Sequence, residues 1–208
     1  MSEAHYSAPE ERLNILTHGA GVILSGIGLI FLLAKSSSLL EIASSLTFGA
    51  SLIILYTAST LYHAAKERAL RARLRIFDHA AIYILIAGTY TPICLITLRE
   101  SAGISLLIVI WTVALCGVVL KLFFTGRFDR LSTIMYIAMG WIAIFAIKPL
   151  LSHMSTEGLL WLLAGGVFYT TGAILYSIRT IPFNHAIFHF FVIGGSTSHF
   201  IMIYSFVL

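Results

Sequence analysis

The chain has 208 residues, of which 59% are hydrophobic and only 11% charged, and its mean hydropathy is +0.95. These values exclude an ordinary soluble domain and indicate an integral membrane protein. The formal net charge of +4 is typical of basic loops that contact anionic lipid headgroups, so we expect no nucleic-acid partner.

Seven apolar stretches follow one another, each close to the ~20 residues that a transmembrane helix needs. We expect an all-α fold, one domain over residues 1–208, with seven transmembrane helices near 13–34, 41–64, 77–98, 103–124, 131–150, 157–178 and 184–207. The stretches are continuously apolar, whereas barrel strands alternate and have only about 10 residues, which favours helices. The polar, acidic segment 1–11 that precedes the first stretch is unlike a cleavable signal peptide. The connection 65–76 is expected to form at most a short surface helix.

Lysine and arginine are divided unequally between the two sides of such a bundle. The side of the N-terminus carries ten: Arg12, Lys66, Arg68, Arg71, Arg73, Arg75, Lys121, Arg127, Arg130 and Arg179. The other side carries only Lys35, Arg99 and Lys148. By the positive-inside rule, we expect a cytoplasmic N-terminus and an extracytoplasmic C-terminus.

Polar residues recur at one membrane boundary of three stretches. Ser59 and His63 end the second stretch, one helical turn apart on the same face. Asp78 opens the third stretch at the same boundary, and His185 and His189 repeat the one-turn spacing at the start of the seventh. Because ionisable side chains are costly inside a bilayer, their convergence predicts a functional site.

The residue types at this boundary suit a metal ion. Three neutral imidazoles, from His63, His185 and His189, suit Zn²⁺ and leave a fourth position for water. Bound zinc lowers the pKa of water to about 7. Asp78 would then accept the proton of that water, and Ser59 would hydrogen-bond the water or the developing oxyanion. The predicted chemistry is hydrolysis of an amide or ester.

Taken singly, some of these residues have simpler explanations. His63 can cap a helix end, and Asp78 can pair with Arg75. His18 is a candidate hydrogen-bond donor around the site or a residue bonded within the bundle. His199 lies about 15 Å deeper than the predicted ligands, too far to share the ion, and is a candidate for lining a cavity.

Two local features of the spans concern packing. Pro92 is expected to kink the third span, with hydroxyl groups nearby that satisfy the freed backbone. Gly21 and Ser25 have the spacing of small residues that lets helices approach closely.

Several motifs in chain order are shared with one known family. They are Glu10-Glu11-Arg12-x-Asn14-x-x-Thr17-His18-Gly19, Ser59-x-x-x-His63, Phe77-Asp78-His79, and His185-Ala-Ile-Phe-His189 with Val192 and His199-Phe200. Over nearly its whole length the chain resembles the hemolysin III family, bacterial relatives of the progestin and adipoQ receptors. The resemblance implies a multi-pass protein of the bacterial plasma (inner) membrane. It also implies Zn²⁺ held by His63, His185 and His189, with Asp78 reaching the ion through water and Ser59 close by.

The resemblance extends to function less specifically. Adiponectin receptors and alkaline ceramidases resemble this family in the same motifs and imply hydrolysis of a lipid amide, hence a membrane lipid or fatty-acyl ligand. Two alternatives stay open, each with structural zinc: a non-enzymatic sensor or regulator of membrane lipid homeostasis, and a hemolysin-type pore-forming cytolysin. The sequence has no evident polar pore-lining stripe, which disfavours a pore. A hydrophobic cavity that reaches the metal site would favour the hydrolase.

Overall fold

The computed structural model describes residues 6–208, with Asp129 and Arg130 described by their backbone only. Residues 1–5 lie outside this range. All regular secondary structure among the described residues is helical, with no β-strand. The helices are α1 Ala8–Lys35, α2 Leu39–Ala64, α3 Arg68–Pro92, α4 Gly103–Phe124, α5 Asp129–Gly140, α6 Ile147–His153, α7 Thr156–Ser177 and α8 Asn184–Phe206. Within this range, seven helical segments are long and apolar enough to cross a membrane, as expected.

Serine side chains fix the starts of three helices. The Ser7 hydroxyl accepts from the backbone N–H of Glu10 at 3.3 Å, and the Ser155 hydroxyl accepts from the Gly158 N–H at 3.2 Å. At the start of α2, Ser38 and Glu41 form a reciprocal capping box. Each such cap contributes about 1 kcal/mol and sets where the chain enters the helix.

The start of α3 differs from the sequence expectation. A separate surface helix in 65–76 is wrong, because α3 runs without a break from Arg68 to Pro92. The segment 68–75 contains only arginine, alanine and leucine, all good helix formers, so the helix continues beyond its apolar part. Hydropathy locates the apolar part of a helix and not its end. The first two turns of α3 therefore carry four arginines on a rigid element.

The end of the third span widens after its proline. Pro92 is followed by a π-helical turn, Ile93–Thr97. Close by, the Thr91 hydroxyl donates to the Ala87 carbonyl at 2.9 Å. A proline removes one ladder hydrogen bond, and a π turn is one of the local adjustments that accommodate it.

The fifth span, expected to be continuous, is interrupted. It runs over Leu131–His153 but changes at Trp141 from α5 to a 3₁₀ turn, Ile142–Ala146, before α6 begins. Tyr90 of α3 compensates for the break, because its hydroxyl donates to the Gly140 carbonyl at 2.7 Å and accepts from the Ala143 N–H at 2.9 Å. The interruption thus lies against a polar side chain that satisfies the freed backbone groups.

The packing order brings the first and last spans together. Helix α1 packs against α2 and α8, α3 packs against α2 and α4, and α7 packs against α8. We call the end of the bundle that holds the start of α1 the N-side end. The end of α2 and the starts of α3 and α8 lie at this same end, because the spans alternate in direction.

The buried face of α1 is polar. Its buried residues are Glu10, Asn14, Thr17, His18, Gly21, Ser25 and Leu32. Large apolar side chains such as Leu16, Ile23 and Ile30 are instead exposed, by 67%, 66% and 68%. This inverted pattern suits a helix with hydrocarbon on its outer side and a polar site on its inner side.

Candidate metal centre

Three buried histidines converge at the N-side end. His63 lies in the last turn of α2, and His185 and His189 lie in the first two turns of α8. One nitrogen from each ring lies within 4.8 Å of the others, and Nε2 of His63 is 3.0 Å from Nε2 of His185. The ring centroids are 4.6–5.2 Å apart, with planes inclined by 59–74°. The three rings therefore point edge-on toward one centre.

In each of the three rings, Nδ1 forms a hydrogen bond with a residue of the N-terminal segment, residues 6–17. The bonds join His63 Nδ1 to Glu11 Oε2 (2.6 Å), His185 Nδ1 to the Tyr6 hydroxyl (2.9 Å) and His189 Nδ1 to Thr17 Oγ1 (3.2 Å). Metal-binding histidines in proteins typically use their second nitrogen in this way. The sequence pattern alone does not identify these partners.

The chemistry of two partners fixes the tautomer of two rings. An ionised carboxylate only accepts, so His63 Nδ1 donates to Glu11. The Thr17 hydroxyl already donates to the Leu13 carbonyl at 2.7 Å, so it accepts from His189 Nδ1. In the neutral form of each ring, Nε2 then carries the lone pair that is available to a metal ion.

Glu11 also joins the cluster to α3. Its second oxygen forms an ion pair with the guanidinium of Arg71. Arg71 in turn donates to backbone carbonyls at the end of α2, those of Tyr62 (3.4 Å), His63 (3.5 Å) and Ala65 (3.4 Å). One carboxylate thus connects an arginine of α3 with a histidine of α2.

The donor set fits a divalent metal ion. Two ligands of a tetrahedral ion, each about 2.0–2.1 Å from it, lie roughly 3.3 Å apart, close to the 3.0 Å between the Nε2 atoms of His63 and His185. Buried lone pairs that face one another repel unless a proton or a cation lies between them. His63, His185 and His189 are the residues that would hold the ion.

Asp78 and Ser59 lie beside the cluster. Ser59 is one turn before His63 on α2, Asp78 is on α3, and both are buried. The Ser59 hydroxyl donates to the Asp78 carboxylate. Among the described residues, Asp78 stands outside the set of converging nitrogens, and it lines the same cavity as His185 and His189. The structure thus gathers all five residues predicted for the site, while their roles stay predictions.

An apolar cavity extends from the histidines into the bundle. Its volume is about 510 Å³. Its walls come from α3, the interrupted fifth span, α7 and α8, and the apolar lining includes Ile86, Ile93, Ile147, Leu150, Leu162 and Val192. His199 lines the far part, as expected, and bonds the Leu162 carbonyl at 3.2 Å. The cavity therefore connects the polar cluster with a chamber that suits a hydrocarbon chain.

His18 supports the cluster by stacking. Its ring lies parallel to that of His189, with centroids 3.4 Å apart and planes 5° from parallel, and meets the Tyr56 ring edge-on at 4.9 Å. Neither ring nitrogen of His18 has a hydrogen-bond partner among the described residues. The expectation of a hydrogen-bonded His18 is therefore wrong. His18 instead supports His189 by stacking against the face of its ring.

Tyr6 covers the cluster on the side of the N-terminus. Its ring lies 4.6 Å from that of His185 and 5.7 Å from that of His63, measured between centroids. Burial raises the pKa of the Tyr6 hydroxyl, so the phenol stays neutral and remains a hydrogen-bond partner of His185. The cluster is thus covered at the N-side end and connected to the cavity in the bundle.

Fold and site together define a class: a multi-pass helical membrane protein with a buried three-histidine cluster at one end. Comparison with known families assigns the chain within this class. The profile of the family described as Haemolysin-III related matches residues 6–200. The protein belongs to this family, which confirms the resemblance seen in the sequence motifs.

Relatives match along almost the entire chain. A Hemolysin-3 homolog of Bacillus subtilis (strain 168) is 46% identical over 198 residues, 94% of this chain and 93% of the relative. Hemolysin-3 of Bacillus cereus is 46% identical over 202 residues, 96% of this chain and 92% of the relative. The human Monocyte to macrophage differentiation factor is 27% identical over 208 residues, 95% of this chain and 84% of that protein. The similarity therefore covers both the bundle and the site.

Proposed function

We propose that this protein is a zinc-dependent hydrolase of the bacterial plasma membrane that cleaves a lipid amide or ester near the cytoplasmic face. The observation that supports this best is the apolar cavity that ends at the histidine cluster. A chamber for a hydrocarbon chain, a carboxylate and three converging imidazoles then meet at one point. A structural ion alone would need no such chamber.

The residues of the site have separate roles in this proposal. Zinc held by His63, His185 and His189 would supply a Lewis acid and lower the pKa of water. Asp78 accepts the proton of the attacking water and returns it to the leaving amine or alcohol. Ser59 donates a hydrogen bond to Asp78 and so orients this carboxylate, while its oxygen can still accept a hydrogen bond from the water.

The position of the cavity favours a membrane lipid as the substrate. Tyr6 covers the cluster on the side of the N-terminus, whereas the cavity lies among the transmembrane helices. A substrate with a long acyl chain can place that chain against Ile147 and Leu150 while its amide or ester carbonyl reaches the histidines. Soluble amides lack the apolar part that this binding mode uses.

The metal assignment is tested by elemental analysis of purified protein. We expect about one zinc per chain, and none in the His185→Ala, His189→Ala double variant, because two of three ligands are lost. Replacement of His153, an exposed histidine at the other end of the bundle, is the control and should keep the metal. Full zinc occupancy of the double variant would refute the assignment.

Catalysis is tested with a broad panel of lipid amides and esters, analysed by mass spectrometry with and without chelator. Asp78→Asn keeps the size of the side chain but removes the proton acceptor, so turnover should fall by about 10²–10⁴-fold at equal zinc content. Equal rates for both proteins would exclude Asp78 as the base. Zinc-loaded protein that cleaves no lipid would favour a sensor that binds the acyl chain in the same cavity.

A cytolysin is the second candidate, because the Bacillus cereus relative is named Hemolysin-3. Lysis of red cells by purified wild type, at the same rate for Asp78→Asn, would support it over the hydrolase. The hydrolase predicts either no lysis or lysis that is lost with Asp78.

A further inference from the structure

A second concave surface lies at the N-side end, on the outside of the bundle between α2, α3 and α4. Its volume is about 620 Å³, and it shares no lining residue with the apolar cavity. We call it the arginine groove. Its principal lining residues are Tyr62, Arg68, Arg71, Arg75, Leu122 and Phe123. Neither the proposed hydrolysis nor the metal centre uses this surface directly.

The charge of the arginine groove is positive. Arg68, Arg71 and Arg75 follow one face of α3 at spacings of three and four residues. The lining residues between them are small, Ala69 and Ala72, and none of the described lining residues is acidic. One guanidinium group can bind two phosphate oxygens at once through two of its N–H groups, which gives arginine a stronger geometric preference for phosphate than lysine has.

The opposite wall is apolar and exposed. Leu122 and Phe123, in the last turns of α4, are 49% and 73% exposed. A free phosphate ion has no part that would contact them, whereas a phospholipid carries both a phosphate and acyl chains. The groove lies near the helix ends, where headgroups meet hydrocarbon. The combination therefore fits an amphiphile better than a soluble anion.

We infer that the arginine groove binds the phosphate headgroup of an anionic phospholipid, with its acyl chains against Leu122 and Phe123. Occupancy is linked to the metal centre, because Arg71 lines the groove and also forms the ion pair with Glu11, whose other oxygen accepts from His63. A phosphate that shares Arg71 leaves more negative charge on Glu11. The stronger bond to Nδ1 then makes His63 a better ligand, a consequence that rests on the proposed zinc binding.

To test the lipid site, purified full-length protein is placed in nanodiscs of phosphatidylcholine mixed with phosphatidylglycerol. The lipids that remain bound to the protein are then identified. The Arg68→Gln, Arg75→Gln double variant should lose about 30-fold in preference for phosphatidylglycerol, since it lacks two of the basic groups that attract the headgroup. The control is Lys66→Gln, Arg73→Gln, which removes the same charge from exposed positions of the same segment outside the groove. Equal losses in both variants would indicate diffuse attraction and overturn the site.

The link is tested by zinc titration in nanodiscs of each composition. Wild type should bind zinc about threefold more tightly with phosphatidylglycerol present, a part of the 10–100-fold that a partner of a metal ligand controls. Glu11→Gln should abolish this lipid dependence but keep the retained phosphatidylglycerol. Equal zinc affinity of wild type in both discs would overturn the link. A protein that binds no zinc would refute the proposed function, while lipid retention would still decide the groove.

Discussion

At the scale of single residues, the histidine cluster is oriented from the N-terminal segment. Tyr6, Glu11 and Thr17 each bond one Nδ1 atom, and His18 stacks on one ring face. A ligand fixed in this way loses little rotational freedom when it binds a metal, and its inner nitrogen gains basicity from the bond on the other side. The segment is therefore part of the site even though it supplies no direct ligand.

Tyr6→Phe tests this role with a minimal change. The variant keeps the ring over His185 but removes the hydroxyl that bonds its Nδ1, so zinc affinity should fall by about 10-fold or more. The affinity is measured by competition with a chelator of known strength. Tyr204→Phe, a change at the other end of α8, is the control and should leave it unchanged. Equal affinities of wild type and Tyr6→Phe would show that the bond does not support the ligand.

The residues of the cluster could be predicted because ionisable groups in apolar spans are rare enough to be informative. The supporting residues had a weaker signal that was still present. Glu10, Asn14, His18, Gly21 and Ser25 follow one stripe of α1 at spacings of three and four residues, within a helix that is mostly apolar from residue 13 to residue 34. Which atom of the stripe bonds which ring depends on packing between helices, and no sequence period encodes it.

At the scale of helices, close packing of α1 on α2 depends on the small residue Gly21, as its spacing with Ser25 suggested. A Cβ at this position would lie 2.5–2.8 Å from atoms of the Tyr56 ring. The Tyr56 hydroxyl donates to Ser196 of α8 at 2.8 Å, and the Ser196 hydroxyl also bonds Tyr169 of α7 at 2.8 Å. Gly21 therefore gives Tyr56 the position from which it joins α2 to α8.

Two alanine substitutions in α1 are expected to have opposite effects. Gly21→Ala forces Tyr56 to move and should destabilise the protein by about 1–3 kcal/mol, as overpacking does. Gly26→Ala is the matched control, since a Cβ there meets nothing within 4 Å. It should be neutral or stabilising by up to about 1 kcal/mol through helix propensity. Thermal unfolding in detergent measures both, and equal midpoints would contradict the packing role of Gly21.

The number and order of spans follow from hydropathy, but the ends and breaks of helices do not. The basic turns before residue 77 are polar, so hydropathy assigns them to a loop, whereas the helix propensity of arginine, alanine and leucine continues α3 to Arg68. The break at Trp141 has no proline to mark it. It is accommodated by the hydroxyl of Tyr90, a contact between spans that are distant in the chain.

At the scale of the whole molecule, the histidine cluster, the arginine groove and the N-terminal segment share the N-side end. This is also the end to which ten of the thirteen lysines and arginines belong when the residues are counted along an alternating bundle. Orientation in the membrane therefore decides which compartment and which lipid leaflet the site meets. Anionic lipids and basic segments attract one another on the cytoplasmic side, which agrees with the proposed lipid groove. The proposed hydrolysis near the cytoplasmic face requires this end to be cytoplasmic.

A topology measurement tests this requirement. Alkaline phosphatase, a reporter active only outside the cytoplasm, should be active when fused after Leu208 and inactive when fused in the N-side connection at Gly126. The physical reason is the ten-to-three division of basic residues, which opposes translocation of the more basic side. Green fluorescent protein at the same two positions should give the reverse pattern and controls for expression. Phosphatase activity at Gly126 alone would place the histidine cluster at the outer face, and a cytoplasmic lipid hydrolase would then be excluded.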